Sequence, residues 1–488
     1  MRHPELIVLL FLMTVPAIAE DAPSQGKDQC FACHQAFEDP VAELYVKDVH
    51  YKTNISCADC HGGNSRSEDM DEAMSEQAGF VGVPRGDQSS ERCAQCHSDA
   101  EYMKAFNPAI ATDQFSGYTA SVHGRNTIAG GERLVQCTTC HGVHNILPVR
   151  DPRSQVSPAK VVRTCVRCHG DATFMRQYNP ALPVDQLEKY KTSEHGRRWL
   201  RGDGKAAQCV SCHGNHDILP ASDVRSSVYA INLPSTCSKC HGNADYMKEY
   251  GIPTNQFRRF SESVHGKKLL EERDVSAPSC NDCHGNHGAV PPGVQSISNV
   301  CGTCHALNAK LFAGSPHKKA FDEGGIPECE VCHGNHYVFP PTRDMLGVDE
   351  KAICSDCHYP SGTSQAYSVA AAMRMLVDSL SRQEEEARRL LEEAEQKGME
   401  VSESRFHLRA VRQAVIESRT VLHSFDLEKY RGVITRGLVV GKGVTGEAQE
   451  AIEEYYFRRI GLGISTLIIT VLAVAIYLRI RRIERRGI

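Results

Sequence analysis

No cysteine in this 488-residue chain stands outside a single motif, no surplus of positive charge runs along it, and long apolar runs occur only near its two ends. Each lack excludes something. A formal net charge of −5 argues against a nucleic-acid partner. Between the ends there is no stretch that could cross a bilayer. With no cysteine left over, disulfides would have to compete with the motif itself for every thiol.

The 22 cysteines are all used by Cys-x-x-Cys-His. The motif occurs at Cys30/Cys33/His34, Cys57/Cys60/His61, Cys93/Cys96/His97, Cys137/Cys140/His141, Cys165/Cys168/His169 and Cys209/Cys212/His213. It recurs at Cys237/Cys240/His241, Cys280/Cys283/His284, Cys301/Cys304/His305, Cys329/Cys332/His333 and Cys354/Cys357/His358. A cysteine pair at this spacing could form a disulfide, half a zinc site, or two thioether attachment points for haem. The histidine decides between them, since a disulfide does not need it and structural zinc sites do not space it so. Haem c does need it: two cysteines three apart reach the vinyl groups while the next residue places its imidazole on the iron. Eleven copies predict eleven covalently bound haem c groups.

From Cys30 to His358 there is one motif for every 30 residues or so. So short a segment cannot bury an apolar core of its own, so the porphyrins must take that role. The predicted fold is mainly α with extensive loops wrapped around a haem chain, followed by long C-terminal helices and one transmembrane helix. Residues 1–19, with Arg2, the apolar Leu6–Val15 and Ala17-Ile18-Ala19, read as a secretory signal peptide. The haem domain is expected over 20–360, a long helical segment over 361–430, and a linker with a juxtamembrane helix over 431–459. Gly441 to Gly446 reads as a hinge there. The uncharged run 460–478 reads as a single span, with Tyr455, Tyr456 and Phe457 at its collar. The basic tail 479–488 then places the C-terminus in the cytoplasm and the haems in the periplasm, at the inner membrane.

Cys93, Cys165 and Cys237 are 72 residues apart, as are Cys137 and Cys209, so two motifs form one repeat. Each repeat carries Ser-x-His-Gly, at His123, His195 and His265, where the glycine suggests a helix C-cap with the histidine in the last turn. His50 and His317 hold the same place in the outer units. Four motifs extend to Cys-His-Gly-x-His, adding His144, His216, His287 and His336. Setting aside the motif histidines and His3 leaves eleven of 23, the last two being His407 and His423. Eleven irons closed by two imidazoles each would use them all as distal ligands. The first nine recur with the motifs and are read as ligands. His407 and His423 read equally as ordinary helical histidines or as the ligand of a late haem such as that of His358. Met103, Met175 and Met247 read as packing against the haems rather than as ligands. If any iron is open, the motifs at Cys57, Cys301 and Cys354 are the expected places, because no further histidine follows them closely.

The repeats, with Ser-x-His-Gly before the motif and Cys-His-Gly-x-His within it, resemble the class III, multihaem bis-histidine cytochromes c. More closely, residues 30–358 are similar to membrane-associated multihaem cytochromes that take electrons from quinol-oxidising complexes in anaerobic respiration. The resemblance implies haem binding by the cysteines and histidines named above. It implies periplasmic electron transfer from a membrane quinone-binding subunit, such as a cytochrome b, to a periplasmic redox partner. An anchor at the C-terminus rather than the N-terminus departs from the quinol dehydrogenases of this type. The long helices after the last motif are similar to those of pentahaem nitrite reductase and octahaem hydroxylamine oxidoreductase, although the lysine-ligated motif of the former is absent. A reductase of a small nitrogen or sulfur oxyanion with one open haem is therefore the alternative, and no catalytic residue is assigned.

Overall fold

The computed structural model describes residues 28–293, 296–360, 365–485 and 487; the leader expected over 1–19 lies outside them. Among the described residues the chain is helical without strands, apart from one isolated bridge between Thr127 and Arg133. It divides into two compact units, one of Met1–Cys237 with Gly285–Val290, the other of Ser238–His284 with Pro291–Ile488.

Short helices carry the motifs in both units, for example Cys57–His61, Cys137–His141, Cys209–His213 and Cys280–His284. Residues three and four apart share a helical face, so one turn presents two thiols and an imidazole together. The turn is closed from inside the motif. Asp59, Thr139, Ser211 and Asp282, each just before the second cysteine, accept a hydrogen bond from the backbone N–H of Ser56, Gln136, Gln208 and Ser279. Helix exit is equally local. Gly142, Gly214, Gly285 and Gly334, which follow the motif histidine in the extended motifs, adopt φ of +76 to +80°, where a Cβ is strained.

The second cysteine of a motif is not always inside its helix. Cys212 and Cys240 are, in Cys209–His213 and Leu233–His241, and both are half-buried. Cys304 and Cys357 are not: the helix Ile297–Gly302 and the 3₁₀ turn Ile353–Asp356 end before them, and both side chains are exposed. A single turn survives there all the same. The N–H groups of His305 and His358 donate to the carbonyls of Cys301 and Cys354 at 2.9 and 2.8 Å, so the two thiols and the imidazole stay together without a continuing helix.

Ser-x-His-Gly does not end a helix, as its glycine suggested; it starts one. The hydroxyls of Ser121, Ser193 and Ser263 accept from the N–H of Gly124, Gly196 and Gly266 and so cap the new helix at its N-terminus. The glycine is required by a close approach rather than by a left-handed conformation. A Cβ there would collide with the carbonyl oxygen of Tyr118, Tyr190 or Phe260 in the preceding helix.

One backbone tie repeats along the chain. Val49, Val122, Glu194 and Val264, each just before its histidine, donate to the carbonyls of Ile146, Ile218, Ala289 and Val338 at 2.9–3.1 Å. Each acceptor lies two residues after the second histidine of an extended motif. Two histidine-bearing loops distant in sequence are thereby fixed side by side, once in every repeat.

After the last motif the second unit turns into three long helices, α1 (Ala366–Gln396), α2 (Ser402–Val421) and α3 (Leu427–Glu484). Short loops join them, which folds consecutive helices back on each other. Met373, Val377, Leu380, Ala387, Leu391 and Ala394 of α1 face Leu408, Val411 and Ala414 of α2 and Tyr430, Ile434, Val444 and Ala448 of α3 in one apolar core. Their steps of three and four residues are the seam of a helical bundle. The hinge expected at 441–446 is absent, because α3 runs through it unbroken. Gly437 and Gly441 are seam positions instead, where a Cβ would meet Leu380 and Ala414, or Gln383. Beyond Phe457 the helix leaves the bundle, and Ile460, Leu467, Val471 and Leu478 are exposed. Among the described residues α3 is the helix long and apolar enough to cross a membrane.

Candidate haem chain

Two imidazoles bound trans to one metal, each by a bond of about 2 Å from a nitrogen about 1 Å off its ring centre, have centroids about 6 Å apart. That separation recurs throughout the structure. In the first unit His97 faces His50 at 6.1 Å, His61 faces His144 at 5.9 Å, His169 faces His123 at 6.1 Å, His141 faces His216 at 6.0 Å and His213 faces His287 at 6.1 Å. In the second, His305 faces His265 at 6.3 Å, His284 faces His336 at 5.8 Å, His358 faces His317 at 5.9 Å and His333 faces His423 at 6.1 Å. Each pair joins one motif histidine to one spare histidine, with room between the rings for an iron. The residues therefore fit haem with two axial imidazoles. Among the described residues no cluster of three or more His, Cys, Asp or Glu is arranged to hold a bare metal ion.

Electrostatics agree with that fit. Burial, and then the facing imidazole, push His97, His123, His141, His265, His317, His333 and His336 below the ordinary histidine range. A neutral imidazole is the form that binds a metal. Orientation is supplied by groups that motif reading alone missed. Asp48 Oδ1 lies 2.9 Å from His50 Nδ1, and its other oxygen accepts the Ile146 N–H at 2.6 Å. Burial would raise this carboxyl, but hydrogen bonds from the His50 ring and from the His50 and Ile146 N–H groups outweigh it and hold Asp48 below the usual range. The signal was present, since Asp48-Val49-His50 stands in register with Ser121-Val122-His123. The Gly82 carbonyl, 2.7 Å from His61 Nδ1, carries no such signal because any residue could supply it.

Several expected partners change. The open positions anticipated at Cys57, Cys301 and Cys354 each face an imidazole, from His144, His265 and His317. Proximity in sequence misled because the second histidine arrives from 83 residues downstream for His61 and from 40 and 41 residues upstream for His305 and His358. His423 lies over His333, not His358. His407 faces no motif histidine; its ring is 3.6 Å from Glu447 on α3 and its side chain is 41% exposed. His195 and His241 keep in sequence the 46-residue separation of His123 and His169. His34 differs from the rest. Among the described residues no second imidazole faces it, and its Nδ1 lies 2.8 Å from Asp39 Oδ2. Met103, Met175 and Met247 are buried.

Neighbouring motifs approach one another in sequence order within two runs, from Cys30 to Cys209 and from Cys283 to Cys354. The thiols of Cys93 and Cys137, of Cys165 and Cys209, and of Cys301 and Cys329 are within hydrogen-bonding reach. Cys30 and Cys57, Cys60 and Cys96, Cys140 and Cys168, Cys283 and Cys301, and Cys332 and Cys354 lie close enough to interact electrostatically. The exposed second cysteines take part as well, Cys304 beside Cys283 and Cys357 beside Cys332. Cys212 and Cys209 together lie near the Tyr190 hydroxyl, which burial and the two thiols push above its ordinary range.

Known proteins point the same way. The family described as cytochrome c3 matches residues 49–170, a stretch that holds the motifs from Cys57 to Cys165. The chain is 26% identical over 156 residues to the cytochrome c-type protein NrfB of Escherichia coli O6:H1, a match covering 31% of this chain and 70% of that protein. No solved structure matches the chain. Motifs, imidazole pairs and relatives together support a multihaem c-type cytochrome that binds haem c covalently and transfers electrons.

Proposed function

We propose that this chain is a membrane-anchored electron wire of eleven haem c groups, carrying electrons from a quinol-oxidising membrane partner to periplasmic acceptors. The observation that carries the reading is the approach of neighbouring motifs within the runs from Cys30 to Cys209 and from Cys283 to Cys354, because attachment cysteines this near one another would bring consecutive porphyrins close together. The paired histidines would close most irons with two imidazoles, which suits a carrier that changes charge without changing ligands. When bound, haem supplies reversible one-electron chemistry at a potential set by axial ligands, burial and hydrogen bonds. The residues' own part is to hold that ligation rigid. Asp48 fixes the ring of His50, the serine caps fix the helices bearing His123, His195 and His265, and burial keeps the imidazoles neutral.

The exposed apolar stretch of α3 is read as the anchor, and the arginines after it as a cytoplasmic tail. A single span without a histidine or charged side chain at membrane depth offers no proton-coupled chemistry and cannot by itself enclose a quinone pocket. Quinol oxidation is therefore assigned to a separate subunit such as a cytochrome b, docked along the small-residue face of the span at Gly461 and Ser465. Purified in detergent, the oxidised protein should be reduced by dithionite but negligibly by a menaquinol analogue, and membranes containing the partner should restore rapid reduction. Fast, inhibitor-sensitive reduction of the isolated protein by quinol would make the chain a quinol dehydrogenase instead.

A further inference from the structure

We infer that the first haem, at Cys30/Cys33/His34, lacks a second imidazole from this chain and binds a small exogenous ligand, a diatomic molecule or small anion. The inference rests on the eleven-haem reading above. Nine spare histidines each face a motif histidine, His195 keeps the register of His241, and His407 faces Glu447. That leaves His34 as the motif histidine for which the described residues provide no opposing imidazole.

His34 is also open to solvent. Its side chain is 52% exposed, whereas the histidines that face one another are half-buried apart from the exposed His305, so a ligand could approach from solvent. Behind the ring, Asp39 Oδ2 is placed to accept the imidazole N–H at 2.8 Å. That carboxylate is itself fixed, because it caps the helix Pro40–Tyr45 and its other oxygen accepts the Val41 N–H at 3.0 Å. An imidazole that donates to an ordered carboxylate is a stronger base toward its metal and favours the oxidised iron. For His61 the corresponding acceptor is the neutral Gly82 carbonyl. The His50 ring is likewise backed by a carboxylate, Asp48, yet faces His97, so what sets His34 apart is its exposure to solvent and, among the described residues, the lack of an opposing imidazole. Asp39 is on this reading a positioning residue that tunes one haem of the wire.

The test uses the full-length oxidised protein in detergent, with cyanide as the probe for ferric iron and carbon monoxide for ferrous iron. One high-spin, cyanide-sensitive haem per chain is expected in the electron paramagnetic resonance spectrum, above a low-spin background, and one carbon monoxide bound per reduced chain. Asp39→Asn should raise the midpoint potential of that haem and leave the low-spin signals unchanged. Intact mass separates the possible failures. Eleven haems, all low-spin and indifferent to both probes, would overturn the inference and leave the wire intact. Fewer than eleven, with Cys30 and Cys33 unmodified, would remove the eleven-haem reading and this inference with it. A cyanide-sensitive signal that persists in Cys30→Ala/Cys33→Ala would place the open iron elsewhere. A low-spin first haem that turns high-spin in His407→Ala would place its ligand on a second copy of the chain; either result overturns the proposal.

Discussion

Among the described residues, thirteen buried apolar side chains are scattered over residues 42–352, whereas sixteen crowd into residues 370–448, a stretch about a quarter as long. What the longer region buries instead is polar: Asp48, Ser121, Ser193, Ser263, Gln136 and Gln208, every one a cap or a backbone tie. The three-helix bundle is held by ordinary apolar packing along a three-and-four seam. The motif region has the local scaffolding of a fold without its core, and on the proposed reading the haem groups complete it. Two regions of one polypeptide therefore depend on different things.

The strongest way to break the comparison is to withhold haem. Expressed without haem attachment, the motif region should be digested by a non-specific protease and contribute little cooperative unfolding, while a fragment close to residues 366–448 survives. Mass spectrometry of the resistant fragment checks this, and survival of residues 28–360 at full length would show a polypeptide core that burial does not reveal. The converse perturbation is Leu380→Ala, which empties a fully buried seam position. It should cost about 2–5 kcal/mol of bundle stability in a denaturant titration followed by far-ultraviolet circular dichroism, with haem absorbance unchanged.

Ligation sharpens the contrast at the point where bundle and motifs meet in one unit. Because His423 lies over His333 and His407 does not approach a motif histidine, His423→Ala should turn one iron high-spin and His407→Ala none. A new high-spin signal in both variants, or in neither, would contradict the assignment. The smallest effect is expected at a single cap. Ser121→Ala leaves one buried N–H without its acceptor and should destabilise its repeat by about 1 kcal/mol, read as a lower thermal midpoint for the low-spin signal of the His123 haem. Ser193→Ala and Ser263→Ala should match it, since the same geometry recurs.

Much of this was legible because the motif is local. Cys-x-x-Cys-His fits one helical turn, so the grouping of its two thiols and imidazole could be expected from spacing alone, and the 72-residue period exposed the units that carry the second histidines. Asp48 was legible too, by register with the serines. The helix stops short of Cys304 and Cys357 while the turn persists, and motif spacing, identical in all copies, carries no sign of that difference. The bundle seam appeared as apolar positions near helical spacing, but the run from Gly441 to Gly446 reads as a hinge in sequence alone. Gly441 is a packed seam position, where a glycine marks the closeness of a neighbouring helix, while Gly446 faces open space within the unbroken α3.

The sequence by itself determined the cofactor chemistry, the helical class and the inventory of imidazoles, since covalent attachment, periodicity and residue type are properties of short segments. Which imidazole faces which was decided by tertiary structure. His144 faces His61 across 83 residues, and a backbone hydrogen bond from Val49 to Ile146 fixes its loop beside the segment of His50. Histidines are chemically interchangeable as ligands, so no local signal can pair them. Tertiary placement does, and among the described residues it sets no imidazole opposite His34, whose ring meets only the sequence-local carboxylate of Asp39.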